Sequence, residues 1–463
     1  MLTSVAGFVK PRAQPNVLEQ INSNAAGIDV GATQHYVAVP ENRDPEPVRR
    51  FEAFTADLYR LADWLKACGV ETVVMESTGV YGIPLFELLE QRGFDVLLVD
   101  ARHVKNVPGR KADVLDCQWL QQLHTFGLLH RAFRPSDQIC VFCSYLRQRA
   151  MLVGCAAQHI QHMQKALTQM NVKLQHVVKD ITGKTGLDII RAILASDRDP
   201  HQLATHRDRR CKHDEATIAK ALVGTYREEH LFELQQAVEL FDVYQAKITE
   251  CDTRTAAHLS AFADRAGGQA LGPRQRHQQR GRHEPPFDLR GHLYRMTGVD
   301  LTSIDGLDAH TGAKVLSEIG LDLTVWPTGK QFCSWLGLCP GSKVTGGKRL
   351  SSKSKRSANR AAAALRLATQ SLSNSKSALG AYHRRMRARL GPPKAITATA
   401  HKLARTIYAM LTQGREYVDV GQDIYEQQYQ QRVLKNLHRR ARDLGYTLVK
   451  QEGVPPTEPV PAM

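Results

Sequence analysis

The sequence predicts a protein of more than one domain, with an α/β domain near the N-terminus and mainly helical regions after it. The chain has 463 residues, more than an ordinary single domain, and 42% of them are hydrophobic, which is enough for real cores. Between residues 25 and 100, short apolar runs alternate with helical patterns. Beyond residue 136, the apolar spacing becomes that of long helices.

The first region predicts antiparallel strands followed by strand–helix alternation. AAGIDVG and HYVAVP predict a hairpin, and VRRFEAF predicts a third strand. A helix over ADLYRLADWLKACG, ended by glycine, precedes the strand VETVVME, the helix IPLFELLEQRG and the strand FDVLLVD. This order is typical of a ribonuclease-H-like (RNase H) fold, in which parallel strands are flanked by helices.

Two long helical segments follow, one over residues 136–178 and one from Arg227 to about Phe262. The second predicts a coiled-coil or antiparallel helical arm. Packing within its own domain and contact between subunits both remain open. The apolar positions of this helix are Leu231, Leu234, Val238, Phe241 and Ile248, with Gln245 in the remaining position.

Composition shifts divide the chain further. The segment 303–320, SIDGLDAHTGAKVLSEIG, predicts two short helices around a glycine turn, which is either a helix-hairpin-helix element that grips a nucleic-acid backbone or a plain helical hairpin. The predicted regions are a flexible leader (1–24), the α/β domain (25–135), the helical arm (136–264), a basic linker (265–290), a mainly α C-terminal domain (291–420) and a charged helical tail (421–463).

The charge of the chain points to a polyanionic partner. The net charge is +16, and between Leu323 and Arg415 there are 18 Lys or Arg and no Asp or Glu. Nucleic acid is the first expectation and an anionic membrane surface the second. No apolar run approaches the roughly 18 residues of a membrane span, and nine scattered cysteines suit a reducing compartment, so a cytoplasmic location is expected.

Four carboxylates form a candidate metal site. Asp29 lies within an apolar strand, Glu76 ends the strand VVME, and Asp113 and Asp116 lie three apart at a helix start. Together they could hold two divalent ions for phosphoryl transfer, and hard oxygen ligands select Mg²⁺ or Mn²⁺. Alternatively, Asp113 and Asp116 are ordinary helix N-terminal acids and Asp29 caps a turn.

The segment 341–360, GSKVTGGKRLSSKSKRSANR, is predicted to be a loop that leads into an alanine-rich helix. It contains seven Lys or Arg, many hydroxyl side chains and no acid. Its cations could balance the charge of a phosphodiester under attack, and its glycines would let the backbone approach a strand. The candidate nucleic-acid-binding residues are Lys343, Gly346, Gly347, Lys348, Arg349, Lys353, Lys355, Arg356 and Arg360.

Two sets of motifs in this order resemble the insertion-sequence-110 family of transposases, in its 1111 subgroup. The first set is the acid order with KADVLDC after a STGVYG turn. The second is GLCPGSKVTGGKRLSS followed by NRAAAALRLA and, later, SALGAYHRRMRARLGPPKAITATAHKLA. The resemblance extends from Ala25 to about Gly445.

The resemblance implies a RuvC-like N-terminal domain with a DEDD acid set, and a C-terminal transposase domain whose serine attacks DNA. The DEDD acids match Asp29, Glu76, Asp113 and Asp116. The serine position corresponds to Thr345, so threonine replaces serine. Three outcomes remain open: Thr345 is the nucleophile, Ser351 or Ser352 replaces it, or this copy is impaired.

The implied function is DNA strand cleavage and rejoining by a transposase, through a protein–DNA ester and a divalent metal. The family also implies a guide RNA encoded by the element, a homodimer or homotetramer, and pairing of the basic segment with the metal-bearing domain of another subunit. The alternatives are a metal-dependent, structure-specific nuclease resembling a Holliday-junction resolvase, and a decayed, non-catalytic nucleic-acid-binding protein.

Overall fold

The structure is a computed structural model that describes residues 19–76, 79–99, 113–274, 284–351, 353–354 and 359–449. The chain divides into two compact units, Met1–Arg134 and Pro135–Met463. Among the described residues, no helix is both long enough and apolar enough to cross a membrane.

The first unit is built on one mixed sheet of five strands. The strands are β1 (Ala25–Val30), β2 (Gln34–Ala38), β3 (Val48–Glu52), β4 (Thr72–Glu76) and β5 (Asp95–Val99). Their order in the sheet is β3-β2-β1-β4-β5. β1 pairs antiparallel with β2 and parallel with β4, and β4 pairs parallel with β5. All five predicted strands are present, and the arrangement is consistent with the predicted RNase-H-like start.

Helices cover both faces of this sheet because alternate residues of each strand point to opposite sides. The helices are α1 (Thr55–Ala67), α2 (Ile83–Gln91) and α3 (Asp113–Thr125). Val73 and Met75 of β4 join a core with residues of α1 and α2, whereas Val74 packs with Leu120 of α3. The central strands β1 and β4 are therefore buried between helices on both faces of the sheet.

Two long antiparallel helices dominate the first part of the second unit. They are α4 (Asp137–Gln169) and α9 (Glu228–Ser260), joined through α5 (Leu174–Val177), α6 (Lys184–Leu194), α7 (Pro200–Ala204) and α8 (Glu215–Ala221). A buried ion pair links Arg149 of α4 to Asp252 of α9, with Nε and Oδ1 2.5 Å apart. These two helices pack against each other within one chain, and the coiled-coil arm stays a prediction.

One predicted packing position on α9 is wrong. Gln245 is exposed, and its neighbour Tyr244 is half-buried and stacked on His159, with ring centroids 5.4 Å apart. The helix has 3.6 residues per turn, so either position three or four residues after Phe241 can face the partner helix, and the aromatic residue takes it.

The remainder of the second unit is mostly helical. Its helices are α10 (Leu289–Thr297), α11 (Ala309–Ile319), α12 (Gly329–Trp335), α13 (Arg360–Ser371), α14 (Ala378–Leu390), α15 (Pro392–Gln413) and α16 (Gly421–Asp443). A small antiparallel hairpin of β6 (Lys343–Thr345) and β7 (Lys348–Ser351) lies before α13. The described residues 267–274 contain no regular structure, and Arg274 is paired with the buried Glu284.

Two predictions for this part need correction. The first of the two short helices expected around residues 303–320 is only a 3₁₀ turn, Leu301–Ser303, which the Asp300 carboxylate caps by accepting from the Thr302 N–H. The segment 341–360 is not simply a loop, because its first half forms the β6–β7 hairpin. The alanine-rich helix predicted after it is α13.

Candidate active site

Glu76 is the last residue of β4, and Asp29 is the last but one of β1, the parallel neighbour of β4. Ile28 of β1 pairs with Met75 of β4, and each acid is the next residue along its strand. Because the strands are parallel, both acids lie at the same edge of the sheet, where the carboxyl ends of strands form ligand sites in open α/β sheets. Both side chains are half-buried.

Helix α3 begins toward that same edge. A Cβ built on Gly27 would lie 2.3 Å from the carbonyl oxygen of Cys117, and Gln121 donates from Nε2 to the Ala25 carbonyl oxygen at 3.4 Å. Later residues of α3 therefore lie beside earlier residues of β1, so the helix runs antiparallel to the strand. Its first turn, which carries Asp113 and Asp116, is directed toward the end of β1 where Asp29 lies.

Two of these acids, Asp29 and Asp116, lie near the buried thiol of Cys117. Burial, together with the nearby negative charges of Asp29 and Asp116, raises the pKa of Cys117 to about 12. Both carboxylates therefore lie within electrostatic range of one buried atom. Asp116 itself is exposed.

The donor set fits a hard divalent cation, because carboxylate oxygens are the ligands that Mg²⁺ prefers. The described side chains do not by themselves bring three His, Cys, Asp or Glu residues close enough to form a metal site. The side chain of Asp113, the fourth predicted ligand, lies outside the described part of the chain.

A basic residue that sequence reasoning missed, Arg134, lines a cleft with Glu76. The chain before it runs along β5: Arg131 donates to the Val96 carbonyl at 2.7 Å, and the Ala132 N–H donates to the Leu98 carbonyl at 2.6 Å. This path brings the Arg134 guanidinium over the ring of Phe86, 4.7 Å from its centroid.

The cleft itself has a volume of about 60 Å³, and Gly79 and Gly82 form part of its lining beside Glu76 and Arg134. No local pattern in the sequence marks Arg134, because its neighbours in space lie far earlier in the chain. It places a cation next to one of the predicted metal ligands.

Thr345 lies at the tip of the β6–β7 hairpin, in the second unit. It pairs with Lys348 across a two-residue turn of Gly346 and Gly347, whose φ angles are 54° and 75°. Positive φ at both turn positions favours glycine and matches the twist of a tight hairpin. Thr345 is exposed. The dipeptide Gly-Gly between two short strands is the sequence signal that could have predicted this hairpin.

The alternative nucleophile Ser351 is placed differently. It is half-buried at the base of the hairpin, opposite Lys343, and its Oγ accepts a hydrogen bond from the Lys353 N–H at 3.3 Å. Ser352, the other alternative, lies outside the described residues.

The predicted nucleic-acid-binding cations are only partly described. Lys348 on β7, Lys353 just after it and Arg360 at the start of α13 are all exposed. The backbones of Lys343 and Arg349 lie in the hairpin strands, but their side chains are outside the described part. Lys355 and Arg356 are outside it altogether.

Comparison with known proteins identifies the family. No curated protein matches the chain. A family model of DEDD transposases of IS110 elements matches residues 26–172, and a second model, described as the transposase IS116/IS110/IS902 family, matches residues 300–384. Together these matches cover about half of the chain, and they include all four acids and Thr345. The chain therefore belongs to the IS110 family of DEDD transposases.

Proposed function

We propose that this transposase cuts and rejoins DNA strands at the ends of an insertion sequence, with its acidic sheet edge and the Thr345 hydroxyl as the two reactive elements. The observation that carries the proposal is the placement of Thr345. It is an exposed hydroxyl at the tip of a glycine-turned hairpin, in a stretch of chain that has many cations and no acids.

The acidic edge is proposed to bind Mg²⁺ or Mn²⁺, as two ions, through Asp29, Glu76, Asp113 and Asp116. When bound, such ions supply a charge clamp that favours both the attacking and the leaving oxygen of a phosphoryl transfer. The contribution of this chain is a preformed edge, because the sheet and α3 hold the strand ends and the helix start in fixed positions.

Thr345 is proposed to act as the nucleophile. Its Oγ1 forms a bond to the phosphorus of the scissile phosphodiester, and the bond from phosphorus to one deoxyribose oxygen breaks. The hydroxyl loses its proton, and the leaving oxygen gains one. Attack by a deoxyribose hydroxyl on the resulting threonine–DNA ester then reverses these changes and rejoins a strand.

Cations of the chain stabilise the negative charge that develops on the phosphate during this reaction. Lys348 pairs with Thr345 across the hairpin and is exposed, so it can approach the same phosphate. At the acidic edge, Arg134 is proposed to bind a phosphate oxygen beside Glu76, with its guanidinium oriented by the Phe86 ring.

The proposed partners are DNA, a guide RNA encoded by the element, and further copies of this chain in a homodimer or homotetramer. The net charge of +16 suits binding of long polyanions. Such binding weakens steeply with salt. For duplex DNA, each tenfold increase in salt concentration lowers log K by about 0.9 for every phosphate that the protein neutralises.

The test is a trapping assay with a nicked suicide substrate that carries the element ends, the matching RNA and Mg²⁺. A covalent protein–DNA product is expected from the wild type and not from Thr345→Ala or Asp29→Ala. Metal-dependent nicking without any adduct would refute the covalent mechanism and favour a resolvase-like nuclease. DNA binding without cleavage in the wild type would instead indicate a decayed, non-catalytic protein.

A further inference from the structure

A groove of about 590 Å³ lies on the C-terminal part of the second unit, between α15 and the segment that follows it. Gly414 follows the last residue of α15, and its φ of 61° turns the chain back along the helix. The Asp419 carboxylate then accepts from the Ala378 N–H at 3.0 Å and from the Tyr417 hydroxyl at 3.1 Å. These contacts hold the returning segment in place, so the groove is part of the fold.

The groove is strongly basic on the side formed by α15. Lys402 and Arg405 line it from the helix, and Arg415 lines it from the returning segment, against a single acid, Glu416. The Lys402 Nζ lies 4.5 Å from the centroid of the Tyr382 ring, so this half-buried cation has a fixed position. A groove with this charge selects an anionic ligand.

The other walls of the groove are aromatic and aliphatic. The rings of Tyr382 and Tyr417 line it together with Met410 and Val418, and the Val418 side chain is 78% exposed. Cations beside tyrosine rings and an open aliphatic surface match a nucleotide, in which a planar base is joined to a phosphate. The volume is within the range of about 300–1,000 Å³ that is usual for small-ligand pockets.

We infer that this groove binds a single-stranded segment of the nucleic-acid substrate, with an unpaired base against the tyrosines and its phosphates on Arg405 and Arg415. A duplex is a poorer fit, because its bases are stacked on one another and cannot enter a concave site without being displaced. The inference rests on the proposed function and adds to it a strand-binding site distinct from the hairpin of Thr345.

The test uses the full-length protein and a fluorescent oligonucleotide of about 12 thymidines, within the usual site sizes of strand-binding grooves. Arg405→Glu is compared with Lys394→Glu, which makes the same charge change at an exposed residue of the same helix outside the groove. Arg405→Glu is expected to weaken binding at least about tenfold and to reduce the slope of log K against log salt concentration by about one. Lys394→Glu should change the affinity only slightly. Equal losses of affinity in the two variants would overturn the inference, since they would show a general effect of the charge of the protein.

A second measurement tests the base contact. The fluorescence of an oligonucleotide with one 2-aminopurine should be quenched on binding to the wild type and to Tyr417→Phe, and much less by Tyr417→Ala. Equal quenching by all three proteins, or equal loss of duplex and single-strand binding in Arg405→Glu, would contradict the inference. So would displacement of the oligonucleotide by polyglutamate at the same charge concentration, because the groove would then bind any polyanion.

These results are independent of the trapping assay. If Thr345→Ala abolishes the adduct while Arg405→Glu binds like the wild type, the groove inference fails and the proposed chemistry stands. If binding depends on Arg405 but no adduct forms in the wild type, the proposed chemistry fails and the groove stands.

Discussion

The acidic sheet edge and the Thr345 hairpin are held in place in opposite ways. Asp29 and Glu76 extend from strands whose preceding residues, Ile28 and Met75, are fully buried between two layers of helices. The hairpin has only two strands, and its apolar side chains Val344 and Leu350 are 60% and 69% exposed. One element is fixed by a hydrophobic core, and the other is positioned mainly by its own turn.

Because of this difference, we expect substitutions in the two elements to have different effects on activity and stability. A metal clamp needs ligands held to a fraction of an ångström, which a buried sheet provides. A two-stranded hairpin is only marginally stable alone, so its conformation depends on the glycines of its turn and on bound partners. Substitutions in the buried packing beneath the edge should therefore alter activity and stability together, whereas substitutions in the hairpin should alter activity alone.

The largest expected effect comes from Asp29→Asn, which keeps the shape of the side chain and removes its charge. Metal ions contribute several kcal/mol to phosphoryl transfer, so a loss of roughly 4 kcal/mol corresponds to about a thousandfold slower adduct formation. The measurement is the single-turnover rate on the suicide substrate, with the melting temperature as the control for folding. A rate within a few-fold of the wild type would remove Asp29 from the site.

Gly27→Ala should displace the acids of the sheet edge from one another, although it replaces none of them. The added Cβ would lie 2.3 Å from the Cys117 carbonyl oxygen and 2.4 Å from the Gln121 nitrogen, so α3 must move away from β1. We expect a loss of about 1–3 kcal/mol in the free energy of unfolding. A shift of the acids by about 1 Å would also slow the reaction about a hundredfold.

The matched control for that change is Gly154→Ala, in a helix where the added Cβ meets nothing within 4 Å. Denaturant unfolding and the trapping assay measure both variants. Equal free energies of unfolding and equal rates of adduct formation in the two variants would mean that the position of α3 does not require its close approach to β1.

Arg134→Ala should slow the reaction with less effect on folding. A charged hydrogen bond to a phosphate contributes at least about 1.5 kcal/mol, so roughly a tenfold slower adduct formation is expected at saturating DNA. Arg134→Lys should recover part of the rate, because a cation is restored without the planar guanidinium. If Arg134→Ala lowers the melting temperature and Lys does not restore the rate, Arg134 only anchors its segment on Phe86.

Gly347→Ala should give the smallest effect. At a φ of 75° an alanine is strained by about 1 kcal/mol, which corresponds to about fivefold less of the hairpin conformation that presents Thr345. Gly347→Asn, which tolerates positive φ, is the control and should be closer to the wild type. A lowered melting temperature in Gly347→Ala would show that the hairpin contributes to the stability of the fold and would contradict its contrast with the acidic edge.

The sequence predicted what depends on local pattern and missed what depends on distant contacts. Short apolar runs predicted the five strands, and a carboxylate within the apolar run of β1 marked Asp29 as a site residue. Arg134 could not be found in this way, because its neighbour Phe86 lies in another element. The position of Tyr244 rather than Gln245 against α4 was likewise decided by the partner helix. The hairpin, by contrast, has a local Gly-Gly signal that sequence reasoning did not use.

The most direct test of the proposed mechanism is to map the covalent adduct by mass spectrometry after trypsin digestion. Cleavage after Lys343 and Lys348 gives the peptide VTGGK, whose only hydroxyl side chain is that of Thr345. Cleavage after Arg349 and Lys353 places Ser351 and Ser352 together in a separate peptide, LSSK. The proposed mechanism predicts a nucleotide on Thr345 in VTGGK, and a nucleotide on LSSK with VTGGK unmodified would contradict it.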